Sequence, residues 1–164
     1  MDTMLIRHQL RYDAAPDQVY EMLADPAFRN RVCETMRTVS HDVAVDLDGD
    51  KTTVRIDMLQ RTQGMPGFAR KVVGDQTRVI QSELWTARRS ADLKVEIPGK
   101  PGHISGKITL AAEESGTVES FAGQARINIP LLGGKLESLI EKLFVAGMDT
   151  EQRVGAEWLA GRRS

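Results

Sequence analysis

The chain changes its hydrophobic period several times. Met4, Ile6, His8, Leu10 and Tyr12 alternate with Leu5, Arg7, Gln9 and Arg11. A period of two with charge on one side predicts a half-buried strand. Pro16 suits the first turn of a helix, where a backbone N–H would have no partner. Val19, Tyr20, Met22 and Leu23 give that helix a short apolar stripe, and Asp25-Pro26 ends it. A second short helix is expected from Pro26 to about Met36, with Phe28, Val32 and Met36 at spacings of four.

Period two returns after Thr38. Val39, His41, Val43, Val45 and Leu47 share one face, Asp48-Gly49-Asp50 signals a hairpin turn, and Val54, Ile56 and Met58 continue the pattern on a partner strand. The segment 64–74, GMPGFARKVVG, interrupts the strands. Gly64, Pro66 and Gly67 predict a loop with a helical turn, anchored by Phe68, Val72 and Val73. Strands are expected again at 77–87, 93–97, 104–112 and 117–129, with turn signals at 98–102 and at Ser115-Gly116. From Leu131 the period becomes 3.6. Leu132, Leu136, Leu139, Ile140, Leu143, Phe144, Gly147, Val154 and Trp158 fall on one arc, and Lys135, Ser138, Lys142, Asp149, Gln152 and Arg153 fall opposite. This predicts one amphipathic helix of roughly 28 residues.

The order predicts one α+β domain spanning residues 1–164. A curved antiparallel sheet of about six to seven strands wraps the long C-terminal helix, with two short helices after the first strand. The sheet's concave face is the one large apolar surface on which that helix can bury its stripe.

Composition narrows the function. A formal net charge of −1 lacks the electrostatic footprint of a nucleic-acid binder. The single cysteine, Cys33, precludes an intrachain disulfide and fits a reducing compartment. Met1-Asp2-Thr3-Met4 lacks the basic and apolar regions of a signal peptide, and no apolar run reaches the roughly 18 residues of a membrane span. A cytoplasmic protein without stable membrane insertion is expected.

Three features carry a family resemblance: Ala15-Pro16 and the paired helices around Asp25-Pro26, the glycine-rich hairpin from Pro98 to Gly106, and Ile129-Pro130-Leu131-Leu132-Gly133-Gly134-Lys135-Leu136-Glu137 leading into the last helix. With these the chain resembles, over essentially its whole length, the START-like (SRPBCC, helix-grip) superfamily, and within it an uncharacterised bacterial family. The resemblance implies an apolar ligand cavity between sheet and helix, and no particular reaction.

No GxxxxGK[ST], HExxH, GxSxG, CxxC or EF-hand spacing occurs, so no cofactor is expected. His8, His41 and His103 form no short-range ligand pair, so no metal is expected either. His8 is either a satisfied histidine or a general acid/base. Glu83 shares a strand face with Val79, Gln81 and Trp85. It is either a solvated outer residue or a buried carboxylate that needs a partner. Cys33 has no His or Lys nearby to activate it and reads as an inert thiol. Gly106, Gly123 and Gly147 either permit close backbone approach or leave room for a ligand. The expected ligand-lining set is Met58, Phe68, Gln81, Glu83, Trp85, Phe121, Leu143, Phe144, Gly147 and Met148, with Phe68 on a possible lid.

The leading expectation is a carrier or sensor of a small apolar molecule: a lipid, quinone or polyketide. The alternative is a cyclase or dehydratase using His8 or Glu83 to move a proton. A co-chaperone role ranks third, because outer positions Arg55, Asp57, Arg61, Lys94 and Glu96 are too charged for an apolar docking patch. The oligomeric state is left open.

Overall fold

The computed structural model describes residues 3–163. Met1 and Asp2, on which the expectation of no signal peptide partly rests, lie outside the described residues. The elements are β1 (Thr3–Tyr12), α1 (Pro16–Leu23), α2 (Pro26–Thr35), β2 (Ser40–Asp48), β3 (Lys51–Arg61), α3 (Gly67–Val73), β4 (Gln76–Ala87), β5 (Ser90–Glu96), β6 (His103–Glu113), β7 (Gly116–Arg126) and α4 (Gly133–Leu159). The seven strands form one antiparallel sheet in the order β1-β7-β6-β5-β4-β3-β2. The α+β class, the two short helices and the long last helix agree with the sequence pattern. Residues 67–73, expected as a loop with a helical turn, form the short helix α3.

Local chemistry explains the helix starts. Pro16 opens α1, and Gln18 Oε1 accepts from the Ala15 N–H at 3.1 Å. Pro26 opens α2, and Asp25 caps it by accepting from the Ala27 N–H at 2.9 Å. Both devices satisfy donors that the first helical turn leaves unpaired.

Strand register aligns one continuous inner face, because side chains alternate with a period of two. One row across all seven strands reads Ile6, Gly123, Gly106, Leu93, Glu83, Val54, Val45. The row beside it reads His8, Phe121, Ile108, Ala91, Trp85, Thr52, Leu47. The outer face carries ion pairs instead: Asp57 with Arg55 and Arg78, Asp92 with Lys107, Glu96 with Lys94.

The 27-residue α4 is roughly 40 Å long and crosses the inner face. At its C-terminal half Trp158 packs edge-on against Phe28, with centroids 5.5 Å apart. Gly155 lets α4 come close to β1 and α1. A Cβ there would sit 2.6 Å from Tyr12 Cε1 and 3.0 Å from Met22 Cε. The edge strand β1 is partly covered, since its Arg11 N–H donates to Gln152 Oε1 of α4 at 2.7 Å. At the other half of α4 the helix stands off the sheet, and a space opens.

Candidate functional site

The space is a cavity of about 440 Å3 between the sheet, α2, α3 and α4. That lies within the roughly 300–1,000 Å3 of ordinary ligand sites. Its walls are mainly aliphatic: Ile56, Val79 and Val95 from the sheet, Val72 from α3, Leu139 and Ile140 from α4. Met36, Met58, Met65 and Met148 also line it, and methionine adapts to irregular shapes. The rim includes Arg61, Lys100, Pro101 and Leu143, all exposed.

The inner end is polar and buried. Arg29 of α2 stands at its centre, 3% exposed. Its Nη2 donates to Glu83 Oε1 at 2.7 Å, its Nη1 to Glu151 Oε1 at 3.2 Å, and its Nε to the Leu23 carbonyl at 2.7 Å. Glu83, 1% exposed, also accepts from Gln81 Nε2 at 2.7 Å and from Trp85 Nε1 at 3.0 Å. Tyr12 donates to Glu151 Oε2 at 3.5 Å. Glu119 of β7, 2% exposed, hydrogen-bonds Glu151 and also lines the cavity. Its Oε1 has no partner among the described residues.

One guanidinium faces three carboxyl groups, so the charges do not balance. Burial pushes Glu119 well above its ordinary 4.5, the Glu151 and Glu83 charges push the same way, and Arg29 opposes. Glu151 is pushed up to about 6, chiefly by burial against the pull of Arg29. Burial also raises the Tyr12 hydroxyl, assisted by Glu151 and Glu119. Burial alone would lower Arg29, but Glu83 and Glu151 outweigh it and hold the guanidinium charged. The two raised carboxyl groups, in contact with one another, therefore favour holding a proton as a pair. Where a cation would sit among these carboxyls, Arg29 already stands.

The structure places the expected residues as follows. Met58, Gln81, Glu83, Leu143, Phe144, Gly147 and Met148 line the cavity. Glu83 faces inward, which overturns the alternative of a solvated outer position. Trp85 and Phe121 are 1% exposed in the core and lie outside the lining. Trp85 packs edge-on against Tyr20, and Phe121 against Phe144 with centroids 4.8 Å apart. Phe68 also lies outside the lining and packs beside Ala69, Ile127 and Leu136, with Lys135 Nζ 5.9 Å over its ring. Its neighbours Met65, Ala69, Val72 and Val73 supply that wall instead. His8 is not at the cavity; its Nε2 meets Asp149 Oδ1 at 2.7 Å. Burial pushes the Cys33 thiol up to about 11, so it stays protonated at neutral pH.

The glycines divide. Gly106 and Gly123 face each other across β6 and β7. A Cβ on Gly106 would lie 2.5 Å from the Ala122 carbonyl oxygen and 2.7 Å from Phe121 Cζ. The Phe121 ring covers both, so this pair leaves no room for a ligand. A Cβ on Gly147 would meet only Met36 Cε, at 3.9 Å, and Gly147 borders the cavity.

Sequence reasoning missed Arg29, Glu119 and Glu151. Glu119 and Glu151 left a signal: Glu119 is two residues before inward-facing Phe121, and Glu151 sits three after Met148 and three before Val154. Arg29 lies one residue past the Phe28 stripe and reads as solvated.

Residues 7–159 match the profile of a family described as a protein of unknown function (DUF2505). The chain belongs to that family. The uncharacterized protein Rv0481c of Mycobacterium tuberculosis is 24% identical over 160 residues, covering 90% of this chain and 92% of the relative. The fold of this family member is START-like. A START superfamily protein from Mycobacterium smegmatis superposes with a TM-score of 0.63 at 10% identity, covering 94% and 98% of the two chains. The di-domain ARO/CYC StfQ from the steffimycin biosynthetic pathway superposes with a TM-score of 0.61 at 14% identity, covering 97% of this chain and 52% of that one. At such identities the likeness concerns the fold. None of the described helices is long and apolar enough to cross a membrane.

Proposed function

We propose that this protein binds a small apolar molecule in the 440 Å3 cavity, as a cytoplasmic carrier or sensor. The observation that carries this reading is an unfilled, mainly aliphatic space in a fold whose remaining core is packed. A lipid, quinone or polyketide-like molecule fits that chemistry. Met58, Phe144, Gly147 and Met148 would contact it, and α3 would form one movable wall. Leu143 would guard the rim, and Gln81 and Glu83 would bound the polar end. START-like neighbours support the reading through the fold they share. The test is to extract purified protein, identify any co-purified apolar molecule by mass spectrometry, and titrate it with Nile red. A bound molecule or saturable fluorescence supports the reading, and an empty protein that binds no probe refutes it.

One observation favours a second reading, a cyclase or dehydratase-type enzyme. Glu151, near 6 and hydrogen-bonded to Glu119, is poised to move a proton at neutral pH. This shifts the candidate acid/base pair away from His8, which pairs with Asp149, and from Glu83, which three donors occupy. A ligand recovered chemically unchanged after prolonged incubation separates binding from catalysis.

A further inference from the structure

A second pocket, of about 330 Å3, adjoins the apolar cavity where α2 ends and β3 ends. Met36, Gln60 and Arg61 line both spaces. Arg37, Thr38 and Gln63 complete the outer one. Among the described residues its lining holds two guanidinium groups, two side-chain amides and a hydroxyl, and no carboxyl.

The two spaces differ in charge. The carboxyl groups that line the cavity, Glu83, Glu119 and Glu151, belong to its buried inner end, where Glu83 and Glu151 occupy Arg29. Arg37 and Arg61 are exposed, and the ion pairs among the described residues use neither. Glu34, the carboxyl nearest to Arg37 along the chain, pairs with Arg31 instead, at 4.0 Å.

Arg37 also stands where the backbone suits another residue. Its φ is 59°, in the left-handed region, one residue past the C-cap Met36. The Arg37 N–H donates to the Glu34 carbonyl at 3.1 Å and the Thr38 N–H to the Cys33 carbonyl at 3.4 Å. Such a turn ordinarily takes glycine, because a Cβ is unfavourable there. The arginine is thus a local cost to α2 and a gain only to the pocket it lines. Guanidinium groups suit oxyanions, since their planar donors match two acceptor oxygens. An alcohol or ammonium head finds no such match in two cations.

We propose that the ligand is an amphipath with an oxyanion head, a phosphate monoester or carboxylate, which Arg37 and Arg61 hold in the outer pocket while its chain passes Met36 into the apolar cavity. This rests on the binding reading above and adds the chemistry of the head and which end stays outside.

The test is calorimetric titration of the full chain at pH 7.5 and low salt with decyl phosphate, 1-decanol, decylamine and inorganic phosphate. Decyl phosphate should bind about tenfold or more tighter than 1-decanol and decylamine, and added salt should shrink that margin. Inorganic phosphate should bind about a hundredfold or more weakly than decyl phosphate, because it lacks the chain. Arg61→Gln and Arg37→Gly should each cut the margin over 1-decanol. Glycine accepts the left-handed backbone, so Arg37→Gly should unfold at no lower temperature than the native protein. Equal binding of the three decyl probes, tighter binding of decylamine, or a margin unchanged in either variant overturns this inference and leaves the cavity reading standing. Inorganic phosphate binding as tightly as decyl phosphate marks a free-anion site and overturns it as well. Binding of none overturns both.

Discussion

Glu119 is costly to fold, because its carboxyl is buried where ionisation is unfavourable. Tyr12, Arg29, Glu83 and Glu151 face it from β1, α2, β4 and α4. Folding raises Glu119 and Glu151 above the ordinary 4.5, so the native state binds more protons than the unfolded chain above that pH. Their contribution is fully present below 4.5 and is lost as pH rises, through about 6 for Glu151, with Glu119 raised in the same direction. Glu119→Gln removes the titration but keeps a donor toward Glu151. It should therefore exceed the native protein in stability at pH 8 by about 1–2 kcal/mol and show no advantage at pH 4. Urea unfolding at the two pH values measures this, and an advantage confined to acid pH would contradict it. Arg29→Met should cost about 3–5 kcal/mol in the same measurement, because it leaves Glu83 and Glu151 buried without their cation. A loss below 1 kcal/mol would show that the guanidinium does not hold the inner end together.

Within α4, two glycines should respond oppositely to the same substitution. Gly147→Ala gains helix propensity with nothing closer than 3.9 Å to the new methyl, and should stabilise by about 1 kcal/mol. Gly155→Ala drives a methyl into Tyr12 and Met22 and should destabilise by about 1 kcal/mol or more. Thermal unfolding of the pair reads the sign directly, and two shifts of the same sign would contradict this packing. The long helix and the strands were legible because periods of 3.6 and two are strong over such lengths. The inward face of β4 was not legible, since Ile80 and Leu84 on the opposite face are also apolar. In the structure Leu84 is 39% exposed, whereas Ile80 is buried on that outer side. Arg29 was hidden for a different reason. A charge beside an apolar stripe becomes buried only through Glu83, 54 residues away, and Glu151, 122 residues away. Gly106 and Gly123 left two readings open, because a missing side chain looks like space until the Phe121 ring is seen to fill it.

At the scale of the molecule, the sheet and α4 touch tightly at one half of the helix and separate at the other. The Phe28–Trp158 contact and Gly155 fix the closed half, while Leu139, Ile140 and Gly147 border the open one. Ligand binding to such a half-filled core adds stability by mass action, about 2.7 kcal/mol at a hundred times the dissociation constant. The most direct measurement is a methyl spectrum of methionine-labelled protein titrated with 1-decanol. Met36, Met58, Met65 and Met148 line the cavity, whereas Met22 is buried outside it against the position of Gly155. A ligand inside the grip shifts the first four resonances saturably and leaves Met22 in place. Shifts absent from those four, or spread equally to Met22, would contradict a cavity that receives the ligand.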